Sequence, residues 1–186
     1  MRRKRIPMWN YSPSKQDRFV FDTNILIRLF HPVDYSSKNE VCEELYASIL
    51  REKSQLLLSS VQISEYINKC IRLQFDLYKQ NNPHASNYQF KQDYRNTRDY
   101  KDSMEAILGT IRTDILPYFT TISDGFDAID PDNIYLSNIS YDFNDALLAE
   151  IVRAQNAYLV TDDGDFLSYI WDIDVISSNQ LLLNCR

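Results

Sequence analysis

Four carboxylates are the residues of this 186-residue chain whose positions are best suited to chemistry: Asp22, Glu65, Asp145 and Asp163. Asp22 follows the apolar run Arg-Phe-Val-Phe of residues 18–21, and Asp163 comes shortly after another apolar run. Such runs predict buried strands, so both aspartates are expected near the carboxyl ends of strands. Glu65 and Asp145 lie in the predicted first turns of two helices.

The surrounding hydrophobic pattern predicts strands that alternate with helices. Predicted strands cover residues 18–21, 55–58, 119–122, 157–160 and 175–176, and predicted helices cover about 38–53, 60–80, 90–116 and 143–155. This alternation predicts an α/β fold with a parallel sheet flanked by helices. Ligands bind beyond the carboxyl ends of the strands in such sheets, so the four carboxylates are expected to meet at one edge.

Carboxylates crowded at one place repel each other and raise each other's pKa, so the cluster calls for a cation. Ligands that are all oxygens select hard ions, Mg²⁺ or Mn²⁺. His31 and His84 lie away from these motifs, and the three cysteines form no CxxC pair. Two such ions hold a phosphodiester and activate a water for in-line displacement. The residues therefore predict metal-dependent phosphodiester hydrolysis.

Composition restricts the remaining possibilities. A net charge of −6, with 44% apolar and 25% charged residues, is typical of one globular domain. Only 3 glycines are present, too few for a glycine-rich phosphate loop. The odd number of cysteines favours a reducing cytosol, and no apolar run is long enough for a membrane span, so a cytoplasmic protein is expected. The basic start predicts an N-terminal extension over residues 1–16, followed by a nuclease domain over 17–186.

The same motifs carry a family resemblance. Residues 19–27, Phe-Val-Phe-Asp-Thr-Asn-Ile-Leu-Ile, resemble the opening strand and turn of prokaryotic PIN domains. Residues 60–65 are similar to the family's helix-borne acid, residues 144–149 to its third acid, and residues 159–166 to its final strand and acidic turn. The resemblance spans residues 18–176. It implies a three-layer α/β/α fold, with the stretch at about 81–103 as a helical insertion.

The resemblance also implies roles for the acids. Asp22 is expected to bridge metal ions, and the acids Glu65, Asp145 and Asp163 are expected to complete the catalytic metal site directly or through water. Mg²⁺ or Mn²⁺ is the expected cofactor.

Neighbouring residues are expected to support these ligands. The resemblance implies that Asn24 and Thr161 orient the acids and that Asp165 is an outer ligand, whereas Asp162 is expected to face solvent. On the helix of the second acid, Lys69 and Arg72 lie one and two turns beyond it and are candidates to contact substrate phosphates. A solvated helix face is the alternative explanation for both cations.

Each acid also has an ordinary structural explanation when it is considered alone. Asp22 is in position to cap a helix, Asp145 to favour a helix dipole, and residues 163–165 to form a turn. A phosphatase of the haloacid-dehalogenase kind is disfavoured, because Asn24 stands where that class needs a second aspartate. The order of the four acids along the chain favours catalysis over these local explanations.

The sequence therefore predicts an endoribonuclease that hydrolyses single-stranded RNA. The resemblance to VapC toxins adds a more specific hypothesis, the toxin of a type II toxin–antitoxin pair, with an antitoxin and a second copy of the chain as partners. The alternative is a PIN-like scaffold that has lost catalysis and binds RNA or protein.

Overall fold

A parallel β-sheet of six strands forms the centre of the protein, in a computed structural model that describes residues 4–31, 37–130, 132, 134, 143–168 and 172–184. The strands are β1 (Arg5–Pro7), β2 (Arg18–Phe21), β3 (Gln55–Leu58), β4 (Thr120–Thr121), β5 (Tyr158–Val160) and β6 (Asp174–Ser177). Their order across the sheet is β1-β6-β5-β2-β3-β4, and every neighbouring pair is parallel. The predicted parallel sheet is confirmed.

Helices connect the strands. They are α1 (Thr23–Phe30), α2 (Ser37–Glu52), α3 (Ser60–Asn81), α4 (Arg98–Thr110), α5 (Phe143–Gln155) and α6 (Gln180–Asn184). A π-helical turn, Ile111–Ile115, continues α4. Short 3₁₀ turns occupy Met8–Asn10, Pro83–Ala85, Tyr94–Asn96, Phe126–Ala128 and Gly164–Ser168. Within the part of the chain described here, no helix is both long and apolar enough to cross a membrane.

The side chains of the central strands alternate between two hydrophobic layers, as the twofold period of a strand requires. Phe19 and Phe21 of β2 pack in the larger layer with α1, α2, α3 and α4. Val20, from the same strand, packs on the opposite face with Leu159 and the apolar side of α5. Helices therefore cover both faces of the sheet, which confirms the α/β/α layering.

The insertion differs from the sequence prediction. A helix was expected from about residue 90, but α4 begins at Arg98, where the hydroxyl oxygen of Thr97 caps it by accepting the Tyr100 backbone N–H at 3.1 Å. Before this cap, Phe90 and Tyr94 are buried and pack with Phe75 of α3. The spacing of these aromatics is compatible with a helix, but the segment must turn back onto α3, and it does so as short turns.

The first strand lies inside the predicted N-terminal extension. Arg5 of β1 pairs with Val175 of β6, and the backbone N–H of Lys4 donates to the Asp174 carboxylate at 2.7 Å. Residues 5–7 therefore belong to the sheet. The division of the chain at residue 16 stays a prediction.

A buried glutamine joins the start of α3 to the end of β2. The side-chain amide of Gln62 donates to the Phe21 carbonyl at 2.7 Å, and its Oε1 accepts the Ser59 backbone N–H at 2.8 Å. The second contact belongs to a capping box that Ser59 and Gln62 form, as their spacing along the chain allows. Because Phe21 immediately precedes Asp22, this glutamine holds α3 against the edge where the acids lie.

Replacement of Gln62 by Leu should lower the free energy of unfolding by about 2 to 4 kcal/mol, because two buried backbone groups lose their partner. Urea unfolding measures the change. Gln80→Leu, at an exposed position of the same helix, is the control and should change stability by less than about 0.5 kcal/mol. Equal effects of the two substitutions would contradict this account of α3.

Candidate functional site

Asp22 lies at the carboxyl end of β2 with only 2% of its surface exposed. It occupies the N-cap position of α1, but its side chain makes no capping hydrogen bond. Its Oδ2 instead accepts a hydrogen bond of 2.8 Å from the hydroxyl of Thr161, which follows β5. The Asp22 side chain therefore does not cap the helix, which was the structural explanation considered for this acid.

Burial is the main reason why the pKa of Asp22 is raised to about 6, and the negative charges of Asp163 and Glu65 add to this effect. The Thr161 hydroxyl and the Lys69 ammonium lower the pKa but do not outweigh these causes. The surroundings of Asp22 thus disfavour the ionised form of its carboxyl group. A buried acid with a raised pKa costs stability at neutral pH, which is typical of functional sites.

The turn after β5 places Asp163 beside Asp22. The Thr161 hydroxyl oxygen accepts the Asp163 backbone N–H at 2.9 Å, and the Asn24 amide donates to Asp163 Oδ2 at 3.0 Å. Thr161 and Asn24 therefore contact the acids that the sequence expects them to orient. Asp165 reaches Asp163 only through its backbone N–H, at 3.0 Å, and its side chain is exposed.

Glu65 joins the site from the second turn of α3. Its Oε2 accepts from the Thr23 hydroxyl at 3.0 Å, and its Oε1 lies 2.7 Å from the Lys69 ammonium. The same ammonium donates to Asn24 Oδ1 at 3.2 Å. Sequence reasoning missed Thr23, although a hydroxyl directly after a strand-end aspartate was the available signal.

Asp145 lies in the first turn of α5 and is half-buried. Its charge acts on Lys69: burial lowers the pKa of that lysine, but Glu65, Asp22 and Asp145 together raise it above its usual value. Three of the four predicted acids, Asp22, Glu65 and Asp145, therefore act on one lysine. Residue 142, which the sequence predicts as a cap of this helix, lies outside the described residues.

Asp162 was expected to face solvent, and this expectation is wrong. Its carboxylate accepts hydrogen bonds from the Ser178 backbone and hydroxyl, both at 2.6 Å, and from the Ser177 hydroxyl at 2.9 Å. Arg28 of α1 adds an ion pair at 2.6 Å. Burial raises the pKa of Asp162, but the bonds from Ser178 and Arg28 outweigh it and hold the pKa below the usual range.

The reason is the register of the sheet. β6 lies beside β5, so Ser177 at the end of β6 and Ser178 just after it meet the residue that follows Thr161. The Asp162 carboxylate thereby links the turn after β5 to β6 and α1, whereas Asp163 faces Asn24 and the other acids. This geometry favours Asp163 over Asp162 as the candidate ligand.

An open pocket of about 450 Å³ adjoins the acids between α1 and α3. Its walls include Asn24, Ile27, Lys69, Arg72 and Leu73. The Arg72 guanidinium lies 3.8 Å from the ring centre of Phe90, so the insertion supports one face of this cation. The two cations predicted to bind substrate therefore line a cavity beside the candidate site.

The four acids would offer a metal ion only oxygen ligands. Among the residues that the structure describes, no set of three or more His, Cys, Asp or Glu side chains is gathered closely enough to hold a metal ion. Their chemistry nevertheless fits a hard cation, because Glu65 and Asp163 both act on the buried Asp22 with negative charge. Lys69 provides the positive charge among the acids in this arrangement.

Substitution of Asp162 by Asn should destabilise the protein by about 3 to 5 kcal/mol at pH 7, because Arg28 loses its buried partner. Since the folded pKa of Asp162 is lowered, its stabilisation is present above the unfolded carboxyl pKa and is lost as the pH falls through the folded value. The difference from wild type should therefore shrink below about pH 4 in urea unfolding.

The control for this prediction is Asp172→Asn, which removes an exposed ion pair of 3.2 Å with Arg153 and should cost less than about 1 kcal/mol. A loss as small for Asp162→Asn would show that the buried network does not stabilise the turn.

Substitution of Asp22 by Asn should stabilise the metal-free protein by about 2 to 3 kcal/mol at pH 7.5, because its pKa is raised from 3.8 to about 6. The cost of the ionised acid is present above the folded pKa and disappears below the unfolded one, so the two proteins should converge near pH 4. Urea unfolding in EDTA measures this. A less stable variant at pH 7.5 would identify Asp22 as a structural acid.

Comparison with known proteins supports the fold seen here. Three solved structures are similar: VapBC2 from Rickettsia felis bound to a DNA fragment from their promoter, FitAcB from Neisseria gonorrhoeae, and FitAB bound to the IR36 DNA fragment. Their TM-scores are 0.50, 0.50 and 0.51, at 14%, 16% and 17% identity. The alignments cover 86%, 85% and 86% of this chain and 98%, 96% and 94% of those chains. At this identity the likeness shows the fold alone.

No curated protein sequence matches the chain. The family model described as PIN domain matches residues 19–170. This range includes the four acids Asp22, Glu65, Asp145 and Asp163. The match covers most of the chain. The protein therefore belongs to the PIN domain family.

Proposed function

We propose that the protein is a metal-dependent endoribonuclease that hydrolyses phosphodiester bonds in single-stranded RNA. The observation that carries this proposal is the buried carboxylate of Asp22, which caps no helix and is influenced by the charges of Glu65 and Asp163. Membership of the PIN domain family supports a nuclease, and a buried acid whose ionisation is disfavoured beside two other acids supports an intact site.

Mg²⁺ or Mn²⁺ is the proposed cofactor, held by Asp22, Glu65, Asp145 and Asp163. When bound, it would polarise the phosphate and lower the pKa of a water. Asp22 reaches this position with one oxygen already hydrogen-bonded to Thr161, which fixes the direction of its carboxyl plane.

The surrounding residues limit the movement of the acids. Asn24 and the backbone N–H of Asp165 each hold one oxygen of Asp163, and the Thr23 hydroxyl holds Glu65. Such contacts orient carboxylates before the substrate arrives, which reduces the reorganisation needed during catalysis. The proposed part of Thr161, Asn24 and Asp165 is therefore positioning.

The pocket beside the acids supports a flexible single strand as substrate. Arg72 and Lys69 offer positive charge to phosphates, and Ile27 and Leu73 provide an apolar wall against which a base can pack. Because Phe90 of the insertion stacks on the Arg72 guanidinium, the insertion takes part in shaping this pocket. In an unpaired strand the base edges and the phosphates are accessible at the same time. In a duplex the base edges are occupied by pairing.

The structural likeness to chains of VapBC2 and FitAB supports a more specific proposal, that the nuclease is the toxin of a toxin–antitoxin pair. An antitoxin and a second copy of the chain are the partners proposed on this basis. Growth arrest of cells that express the protein without an antitoxin would support the toxin proposal. Normal growth of cells that express a protein with RNA-cleaving activity would favour an RNA-processing nuclease.

The proposed function is tested with purified protein, single-stranded RNA labelled at its 5′ end, and Mn²⁺ or Mg²⁺. Wild type should produce internal cleavage products that disappear in EDTA. Asp22→Asn should reduce the rate by at least about a hundredfold, because it removes charge from the metal site while leaving the Thr161 contact possible.

The matched control is Asp114→Asn, which changes an exposed acid on the π-helical turn and should retain full activity. RNA binding without cleavage by wild type, at every metal concentration, would overturn the enzyme proposal and support the catalytically inactive scaffold.

A further inference from the structure

The Lys69 ammonium lies among the acids of the candidate site. It is 2.7 Å from Glu65 Oε1 and 3.2 Å from Asn24 Oδ1. The charges of Asp22 and Asp145 also act on it. One positive charge is therefore placed where it is attracted by acids from β2, α3 and α5.

An ammonium in this place offsets the repulsion between the acids, as a metal ion would. It also opposes metal binding, because a divalent cation that takes Glu65 as a ligand must displace the lysine from Oε1 or accept its repulsion at short range. In the part of the chain described here, no three acids are gathered closely enough to hold a metal ion, and Lys69 pairs with one of them.

The structure offers the lysine another place. Its side chain is 41% exposed and lines the 450 Å³ pocket as well as the acidic site. Asn68 and Asp76 also line that pocket and provide polar atoms for an ammonium. A lysine has a flexible four-carbon stem, so rotation about its side-chain bonds can carry the charge from the acids into the pocket without backbone movement.

We propose that Lys69 is a resident counter-ion of the metal-free site, which a divalent cation displaces into the neighbouring pocket, so that this lysine sets the affinity of the protein for its metal. The inference rests on the metal site of the proposed function. It adds a task at the metal site to the phosphate contact proposed for Lys69, because in the displaced position its charge faces the cavity proposed for the substrate.

Calorimetric titration of the purified protein with Mn²⁺ alone tests this inference. Lys69→Met keeps the length and apolar stem but removes the charge, and it should bind Mn²⁺ at least about tenfold more tightly than wild type. In EDTA the same variant should melt at a lower temperature than wild type and should gain more on addition of Mn²⁺, because its acids lack a counter-charge.

Lys101→Met is the matched control. Lys101 is exposed on α4 and does not line the pocket beside the acids, so this variant loses a lysine charge without touching either place proposed for the Lys69 ammonium. Its Mn²⁺ affinity should equal that of wild type. Lys69→Gln replaces Lys69→Met if the methionine variant does not fold in EDTA, with the same expected gain in affinity.

The outcomes separate this inference from the proposed function. Unchanged or weaker Mn²⁺ binding by Lys69→Met, together with loss of binding in Asp22→Asn, would overturn the competition and show that Lys69 only positions Glu65. Absence of Mn²⁺ binding in wild type and in both Lys69 variants would overturn the metal site itself. Binding by Lys69→Met but not by wild type would support the inference.

Discussion

The burial of the Asp22 carboxylate at the end of β2 is the constraint on which the site depends. The parallel register of β2 and β5 brings Thr161 to this carboxylate, and the Gln62 side chain fixes the start of α3 beside the same strand. Each of these contacts places polar groups in an interior where they must find partners. The fold therefore holds Asp22 in a buried position that disfavours its ionised form.

Two acids of this edge show how environment separates structure from chemistry. Asp162 receives three hydrogen bonds and an arginine, and its pKa is lowered, so its negative charge stabilises the fold. Burial and neighbouring acids raise the pKa of Asp22, so its negative charge costs stability. A difference of this kind between two carboxylates at the same edge of the sheet is physical support for assigning them different tasks.

Much of the fold was predictable because it depends on local pattern. Short apolar runs specified the central strands, and parallel connections then required that Asp22 and the turn after β5 meet at one edge. The capping box of Ser59 and Gln62 specified where α3 begins. These features follow from spacing along the chain, which the sequence contains directly.

Other features depend on contacts between distant residues, and the sequence did not reveal them. The residues around Asp162 and Asp163 in the sequence do not show that the two side chains point in different directions. Asp162 contacts Ser178, which follows β6, whereas Asp163 contacts Asn24. The start of α4 was also mispredicted, because Phe90 has helical spacing but serves to pack a turn against α3. Side-chain direction within a turn is decided by the neighbouring strand, and that neighbour is known only from the fold.

The proposed function requires that the acids Asp22, Glu65, Asp145 and Asp163 bind a divalent cation. Crystals grown without metal and then soaked in Mn²⁺ reveal such binding by anomalous scattering at the manganese edge. We expect an anomalous peak in contact with the Asp22 carboxylate, with the Lys69 ammonium moved away from Glu65. Crystals at saturating Mn²⁺ that show no peak there, with Lys69 still bound to Glu65, would contradict it.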